Sequence, residues 1–329
     1  MNMSDFFPEP SYLKMPAVGL DISDQSLKYV EFRRKRRFIE LLRCGRKTMP
    51  KGIIESGLIK NPGEFTRLLA DFRKEIKNNR IVVALPEEKI FIGKTELPFM
   101  EKNEIKESLS LQIEENIPLK AEEAIFEYEI DEKTIDGKKH IDVSFAAAPI
   151  EIAKSYRDAL AGAGFYLVAF ETEPHALARA LIKPEENNPQ IILDFGKTRT
   201  SFIIATGHKV ELSATIKTGG EIMDTEIAKI FSVNAEEAKR LKNKADLSQK
   251  NEKIFSAILP IVSSIKDETA KHLSFWKTHA PRHDTETPKE IQKMILCGGD
   301  SNLIGISEYL SHALNLTAEP ANPWINIPF

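Results

Sequence analysis

One device occurs twice in this chain and constrains its fold more than anything else in it. An apolar strand ends in a carboxylate, a short polar turn follows, and the turn leads into a second strand. The first copy is Ala17-Val18-Gly19-Leu20-Asp21-Ile22, with the turn Ser23-Asp24-Gln25-Ser26 and a strand Leu27–Phe32 that carries Lys28. The second is Ile191-Ile192-Leu193-Asp194-Phe195-Gly196, with Lys197-Thr198-Arg199 and a strand beginning Thr200-Ser201. The copies lie roughly 170 residues apart, the separation that duplication of a domain produces. Turns of this composition gather backbone N–H groups and hydroxyls into one concavity, which suits phosphate oxygens. A carboxylate cannot hold phosphate directly and needs a hydrated Mg²⁺ between them. Each turn alone is also what an ordinary hairpin offers. Together they predict two hairpins facing each other across a cleft and clamping a polyphosphate–metal unit.

The remaining composition narrows the classes. At 329 residues the chain is about two domains long, and 42% hydrophobic against 29% charged residues provides for a core. A formal net charge of -3 argues against a dedicated nucleic-acid binder. Two cysteines, Cys44 and Cys297, build neither a disulfide framework nor a four-ligand zinc site. No apolar run approaches the length of a membrane span, and the first 16 residues, with Asp5, Glu9 and several prolines, lack the apolar stretch of a signal peptide. The chain reads as soluble and cytoplasmic.

Along the chain the expected order is a loose tail (1–16), a first lobe segment (17–88), an inserted α+β subdomain (89–165), a connecting strand and helix (166–188) and a second lobe (189–329) that returns to the first at its end. The insertion is read as alternating strands around the helix Lys102–Glu115, with a second helix from Glu151 to Ala161. Strands Leu27–Phe32 and Phe38–Leu42 flank Arg33-Arg34-Lys35-Arg36-Arg37, whose ordinary reading is a solvated hairpin tip. Gly52 to Gly57 has P-loop glycine spacing, but Leu58 occupies the lysine position, so it is a turn. Cys297-Gly298-Gly299-Asp300-Ser301 joins a strand to a helix, and its glycines allow close approach to a flat ring or a phosphate. Glu236 and Lys239 stand one helical turn apart on one face, which is also the spacing of a solvated ion pair.

Taken in order, these residues resemble the actin/Hsp70/FtsA-like ATPase superfamily. Asp21 to Lys28 looks like its first phosphate motif, Asp194 to Ser201 like its second, and Leu296 to Ser301 with Gly305 like its adenosine motif. Glu171-Thr172-Glu173-Pro174-His175-Ala176 resembles the connecting segment, and Glu236 and Lys239 match the helix that touches ribose and adenine. Within that group the likeness is to the PilM family of type IV pilus assembly proteins. It is carried by Val18-Gly-Leu-Asp-Ile-Ser, Leu97-Pro-Phe, Asn116-Ile-Pro-Leu, Leu193-Asp-Phe-Gly, Thr218-Gly-Gly-Glu, Leu296-Cys-Gly-Gly and Pro320-Ala-Asn-Pro-Trp.

The resemblance implies an α/β, two-lobed actin-like ATPase fold with an FtsA/PilM-type inserted subdomain. It implies ATP and Mg²⁺ as ligands. Asp21 and Asp194 would hold the metal through water, and Glu173 would orient the attacking water. ATP would meet Ser23, Asp24, Gln25, Ser26, Lys28, Gly196, Lys197, Thr198, Thr200, Gly219, Gly220, Glu236, Lys239, Gly298, Gly299 and Ser301. The implied partner is the cytoplasmic N-terminal tail of an inner-membrane PilN-type protein, with other pilus components and self-association left open. Location at the cytoplasmic face of the inner membrane follows, without membrane insertion. Two departures imply slow or absent hydrolysis: Ser23 stands where the first motif usually has glycine, and Lys197 and Arg199 bring positive charge into the second turn. The alternatives are a small-molecule kinase of the same superfold, for which no acceptor-positioning cluster is found, and an FtsA-like division protein. The latter needs a C-terminal amphipathic helix, which the proline-rich end Pro320–Phe329 does not form.

Overall fold

The computed structural model describes residues 16–35, 38–117, 119–135, 138–248, 253–279 and 290–328. The expected loose tail lies almost wholly outside them, as do Arg36 and Arg37 of the basic run. The described chain divides into two compact units, one comprising the residues up to Pro86, Glu151–Glu171 and the end from Ile327, the other Glu87–Ile150 and Thr172–Asn326.

In the first unit β1 (Val18–Ser23) alternates strictly, burying Val18, Leu20 and Ile22 and leaving Gly19, Asp21 and Ser23 half-buried on the opposite face. It runs antiparallel to β2 (Ser26–Arg34), which pairs with β3 (Ile39–Thr48). A small ladder of β4 (Ile54–Glu55) and β5 (Leu58–Ile59) follows. Asn61 caps α1 (Pro62–Arg73) by accepting from the Glu64 N–H at 3.1 Å, and Pro62 opens the helix where its missing N–H costs nothing. Phe65, Leu69 and Phe72 form the buried stripe of α1, with the Phe72 ring edge-on to Tyr29 at 5.5 Å. Strand β6 (Arg80–Leu85) then lies parallel to β1.

The chain next builds a three-stranded antiparallel sheet in the other unit. It consists of β7 (Phe91–Pro98), β8 (Ala124–Ile135) and β9 (Lys138–Pro149), in the order β7-β9-β8, with α2 (Lys102–Asn116) burying Ile105, Leu109 and Ile113 against it. The sequence reading grouped the next helix with these strands. Instead α3 (Ile150–Gly162) packs in the first unit, where Tyr156 is fully buried, meets the Phe65 ring at 6.1 Å and donates its hydroxyl to the Gly57 carbonyl at 3.0 Å. Strand β10 (Tyr166–Thr172) completes the first five-stranded sheet, in the order β10-β6-β1-β2-β3.

The second unit resumes with α4 (Glu173–Leu181), capped by Thr172, and β11 (Gln190–Phe195), β12 (Thr200–Thr206) and β13 (Lys209–Ile216). Helices α5 (Gly220–Phe231), α6 (Ala235–Lys242) and α7 (Lys253–His279) follow, then β14 (Lys293–Cys297), α8 (Ile306–Leu314) and β15 (Thr317–Pro320). Residues 323–326 form a turn, and no helix is assigned over 321–328. Among the described residues no helix is long and apolar enough to cross a membrane.

The second sheet runs β13-β12-β11-β14-β15. Central strand β11 is antiparallel to β12 and parallel to β14, as β1 is to β2 and β6. Asp21 stands opposite Lys28 and Ala84; Asp194 stands opposite Ser201 and Cys297. The duplication expected from sequence is therefore present in topology and register. Strands β13 and β15 were not anticipated.

Removing only the buried Tyr156 hydroxyl tests the α3 packing. Tyr156→Phe should lower unfolding free energy by about 1 kcal/mol, the net worth of one hydrogen bond. Tyr156→Ala should cost about 3–5 kcal/mol through the cavity it leaves. Equal urea midpoints for Tyr156→Ala and the parent would remove α3 from the core.

Candidate functional site

In the first unit, the Asp21 carboxylate accepts from Lys28 Nζ at 2.6 Å across the hairpin, and both side chains remain open to solvent. An exposed pair of this kind is weak and yields readily to a ligand. Ser23 Oγ lies 2.9 Å from Ser26 Oγ and also donates to the Ser26 carbonyl, so the two hydroxyls close the turn on themselves. The Gln25 carbonyl accepts from the Met49 N–H. Asp24 has a different role from the one expected. It is buried, and its two oxygens accept from the Ser56 and Gly57 N–H groups at 3.0 and 3.1 Å. It pins the neighbouring turn and is not presented to a ligand.

In the second unit the predicted residues converge more closely. The turn after β11 lies against the start of α5: the Gly196 carbonyl accepts from Gly220 N–H at 3.1 Å and the Lys197 carbonyl from Glu221 N–H at 2.8 Å. Thr200, fully buried, donates its hydroxyl to the Thr218 carbonyl. Two of the helix's first-turn donors are thus satisfied by the turn itself. A Cβ on Gly219 would sit 2.6 Å from Arg199 N and 2.7 Å from the Lys197 carbonyl, so only glycine lets these backbones meet. Gly298, at φ +86°, lies directly against Asp194: a Cβ there would fall 2.3 Å from its Oδ1. The second carboxylate and the glycine pair therefore adjoin, whereas the space a Cβ on Gly299 would take is open. Ser301 donates to the Gly298 carbonyl. Lys197 is exposed, as are Glu236 and Lys239 on α6, and Thr198 is half-buried.

Two buried ion networks brace this region. Arg199, 8% exposed, lies between two carboxylates, with NH1 3.1 Å from Glu88 Oε2 and NH2 3.1 Å from Glu173 Oε2. The same Glu173 oxygen accepts from the Glu87 N–H at 3.0 Å. Burial pushes the Glu87 carboxyl above the usual carboxylate range, against the opposing pull of the Thr215 and Ser201 hydroxyls and the Arg199 charge. The second network centres on Lys242, whose ammonium is 2.9 Å from Asp224, 2.6 Å from Asp300 and 3.1 Å from the Gly220 carbonyl. Sequence reasoning missed Lys242, Asp224 and Asp300 as a group. The signal was available: Lys242 follows Ala238 by four residues, on the stripe α6 buries.

A fit test for a metal–polyphosphate ligand therefore gives a mixed set. In the second unit Asp194, the Gly298-Gly299 backbone and the exposed Lys197 suit such a ligand, and in the first unit, taken by itself, the exposed Lys28 does. Asp24, Thr200 and the first amides of α5 are engaged in the fold. Among the described residues no group of three or more His, Cys, Asp or Glu side chains could hold a metal ion.

A family model described as type IV pilus assembly protein PilM matches residues 19–329. A search of curated proteins finds no match. Among solved structures, one of a PilM–PilN type IV pilus biogenesis complex aligns with a TM-score of 0.79 at 23% identity, over 95% of this chain and 90% of that one. The ethanolamine utilization protein EutJ from Carboxydothermus hydrogenoformans aligns at 0.56 and 16% identity, covering 98% and 89%. MreB5 of Spiroplasma citri bound to ADP aligns at 0.56 and 15% identity, covering 95% and 93%. The fold shared with these structures is the actin-like ATPase fold.

Breaking the Lys242 network tests its structural role. Lys242→Met strands two poorly exposed carboxylates and should cost about 3–5 kcal/mol by urea unfolding. Adding Asp224→Asn and Asp300→Asn should recover most of that loss. A single variant as stable as the parent would refute it.

Proposed function

The chain belongs to the PilM family of type IV pilus assembly proteins, and from that premise we propose that it is an ATP-binding component of a pilus or related secretion or competence assembly. In this reading it works at the cytoplasmic face of the inner membrane by docking the tail of a PilN-type protein. The observation that carries the nucleotide reading is the duplicated sheet, which sets Asp21 and Asp194 at one register position in each copy. Those are the carboxylates this reading assigns to a hydrated Mg²⁺. Lys28, Lys197, Thr198, Gly298 and Gly299 are assigned to the nucleotide, and Glu236 and Lys239 to its ribose and base. Bound metal would neutralise phosphate charge. The protein's own groups bind and orient.

Slow or absent hydrolysis is part of the reading. Glu173, assigned to orient water, is ion-paired with Arg199 and also accepts from the Glu87 N–H, so its Oε2 is already engaged twice. Titration calorimetry with Mg²⁺-ATP should show tight binding to the parent and a clear loss in Asp194→Ala, whose melting temperature should stay near the parent's. Equal affinities would end the assignment. A turnover near the enzyme median of about 10 s⁻¹ would contradict the slow-hydrolysis reading.

For the partner, support comes from a cavity of about 500 Å³ lined by Glu87, Glu88, the β7 residues Phe91–Thr95 and the β13 residues Ser213–Thr215. Both β7 and β13 are edge strands of their sheets, so their backbones suit an extended peptide. Glu88 belongs at once to this cavity and to the Arg199 ion pair beside the second phosphate turn. That shared residue gives nucleotide and peptide a route of coupling, which for such linkages amounts to about 5–150-fold in affinity and is reciprocal. A PilN-type tail peptide should bind differently with and without Mg²⁺-ATP, and Asp194→Ala should erase the difference. Identical peptide affinity in both conditions would make the protein a static scaffold.

A further inference from the structure

The carboxyl groups of Glu87, Glu88 and Glu173 gather around the guanidinium of Arg199, all within the second unit. Glu88 and Glu173, both half-buried, take its two forks at 3.1 Å each. Glu87 is 3% exposed and is met by hydroxyls instead. Thr215 Oγ1 donates to its Oε2, and the Ser201 hydroxyl is bonded to the same carboxyl. Ser201 and Thr215 stand directly opposite each other on β12 and β13, so the Glu87 carboxyl straddles both strands. Its backbone N–H donates to Glu173 at the start of α4.

The kind of partner matters. A cation in contact fixes a carboxylate in its charged form. A hydroxyl does not, because it donates to a carboxylate and, after one rotation, accepts from a carboxylic acid. The Glu87 site can therefore hold the group in either state. The balance of charge favours the neutral one, since three ionised carboxylates against one guanidinium leave excess negative charge where there is little water. Burial pushes the Glu87 carboxyl above the usual range and the Glu88 charge adds to the rise, against the pull of the two hydroxyls and Arg199. Glu87 and Glu88 also line the cavity of about 500 Å³, together with the exposed Lys94 on β7, and the cavity gives a proton a way in and out.

The place of Glu87 in the chain makes that proton a mechanical matter. It opens the turn Glu87–Lys89 through which the chain enters β7, and residues of β7 and β13 form the walls of the cavity. We propose that Glu87 is a proton-operated clasp: protonated, it fastens the entry of β7 to β12 and β13, and once ionised it releases that entry and lets the cavity between β7 and β13 open. The clasp stands on these contacts alone. Only its bearing on peptide docking rests on the partner reading given above, and there it makes docking tighter as pH rises.

A carboxyl that holds its proton more tightly folded than unfolded lends stability that is fully present at low pH and declines as pH climbs from the ordinary carboxylate range through the raised one. The test compares the full-length parent with Glu87→Gln, a fixed neutral group, by thermal melting from about pH 4 to about pH 8. The two should coincide at the acid end, and Glu87→Gln should melt progressively higher than the parent towards the alkaline end. Hydrogen exchange, corrected for intrinsic rates, should run at least ~10-fold faster over residues 87–98 and 209–216 in the parent than in Glu87→Gln at about pH 8, and equally at about pH 4. Should the variant fail to fold, carboxyl-carbon NMR of the parent decides, and Glu87 must titrate above the ordinary glutamate range. Parallel melting curves, a variant less stable than the parent throughout, equal exchange at every pH, or a Glu87 midpoint at or below the ordinary range would each overturn the proposal. Faster exchange in the parent with tail-peptide affinity unchanged by pH would uphold the clasp and count against the partner reading instead.

Discussion

The second unit is organised around one buried guanidinium. Arg199 comes from the turn after the central strand, and its two carboxylate partners come from the segment leading into the three-stranded subdomain and from the start of α4. Moving any of these three elements leaves charge uncompensated in a place with little water, at a cost of several kcal/mol. The turn, the helix and the subdomain entry are therefore held in one arrangement. Burial in the same place raises the affinity of Glu87 for its proton, against the opposing pull of the Thr215 and Ser201 hydroxyls and the Arg199 charge.

That bracing explains how a polar turn can sit at the end of a strand whose residues, Gln190 and Asp194 apart, are all apolar. In β11 every residue but Asp194 is buried, and the turn beyond it is fixed by bonds to α5 and by contacts that only glycine permits at 219 and 298. The first unit solves the same problem more loosely. Asp21 is paired with an exposed lysine, and Asp24 turns inward to tie down the segment at 56–57. Two copies of one topology have thus acquired different internal supports, the second much more heavily charged than the first.

Much of this was legible in order along the chain. The strand-end carboxylates were visible because each ends an apolar run, and α1 because its apolar residues recur at three and four. Strand β15 was not legible: Thr317-Ala-Glu-Pro320 has no apolar pattern, and it is a strand only because β14 offers a parallel partner. Strand β13 buries chiefly Val210 and Ile216 at its ends, too few to mark it as core. The helix at 150–162 was legible as a helix, but its packing partner was not, because a buried stripe does not name the surface it will cover.

By itself the sequence determined the repeated device, its register-setting alternation and the residue types at each strand end, since these depend on local period and on which side chains tolerate burial. Tertiary structure alone decided which charged residues became internal struts. In their own segments Arg199 and Asp24 read as turn residues available to a ligand, and Lys242 as one more helix lysine. Their partners lie between roughly 20 and 110 residues away in sequence, and an ion pair or a capped amide is worth its desolvation only where the fold brings both halves together out of water.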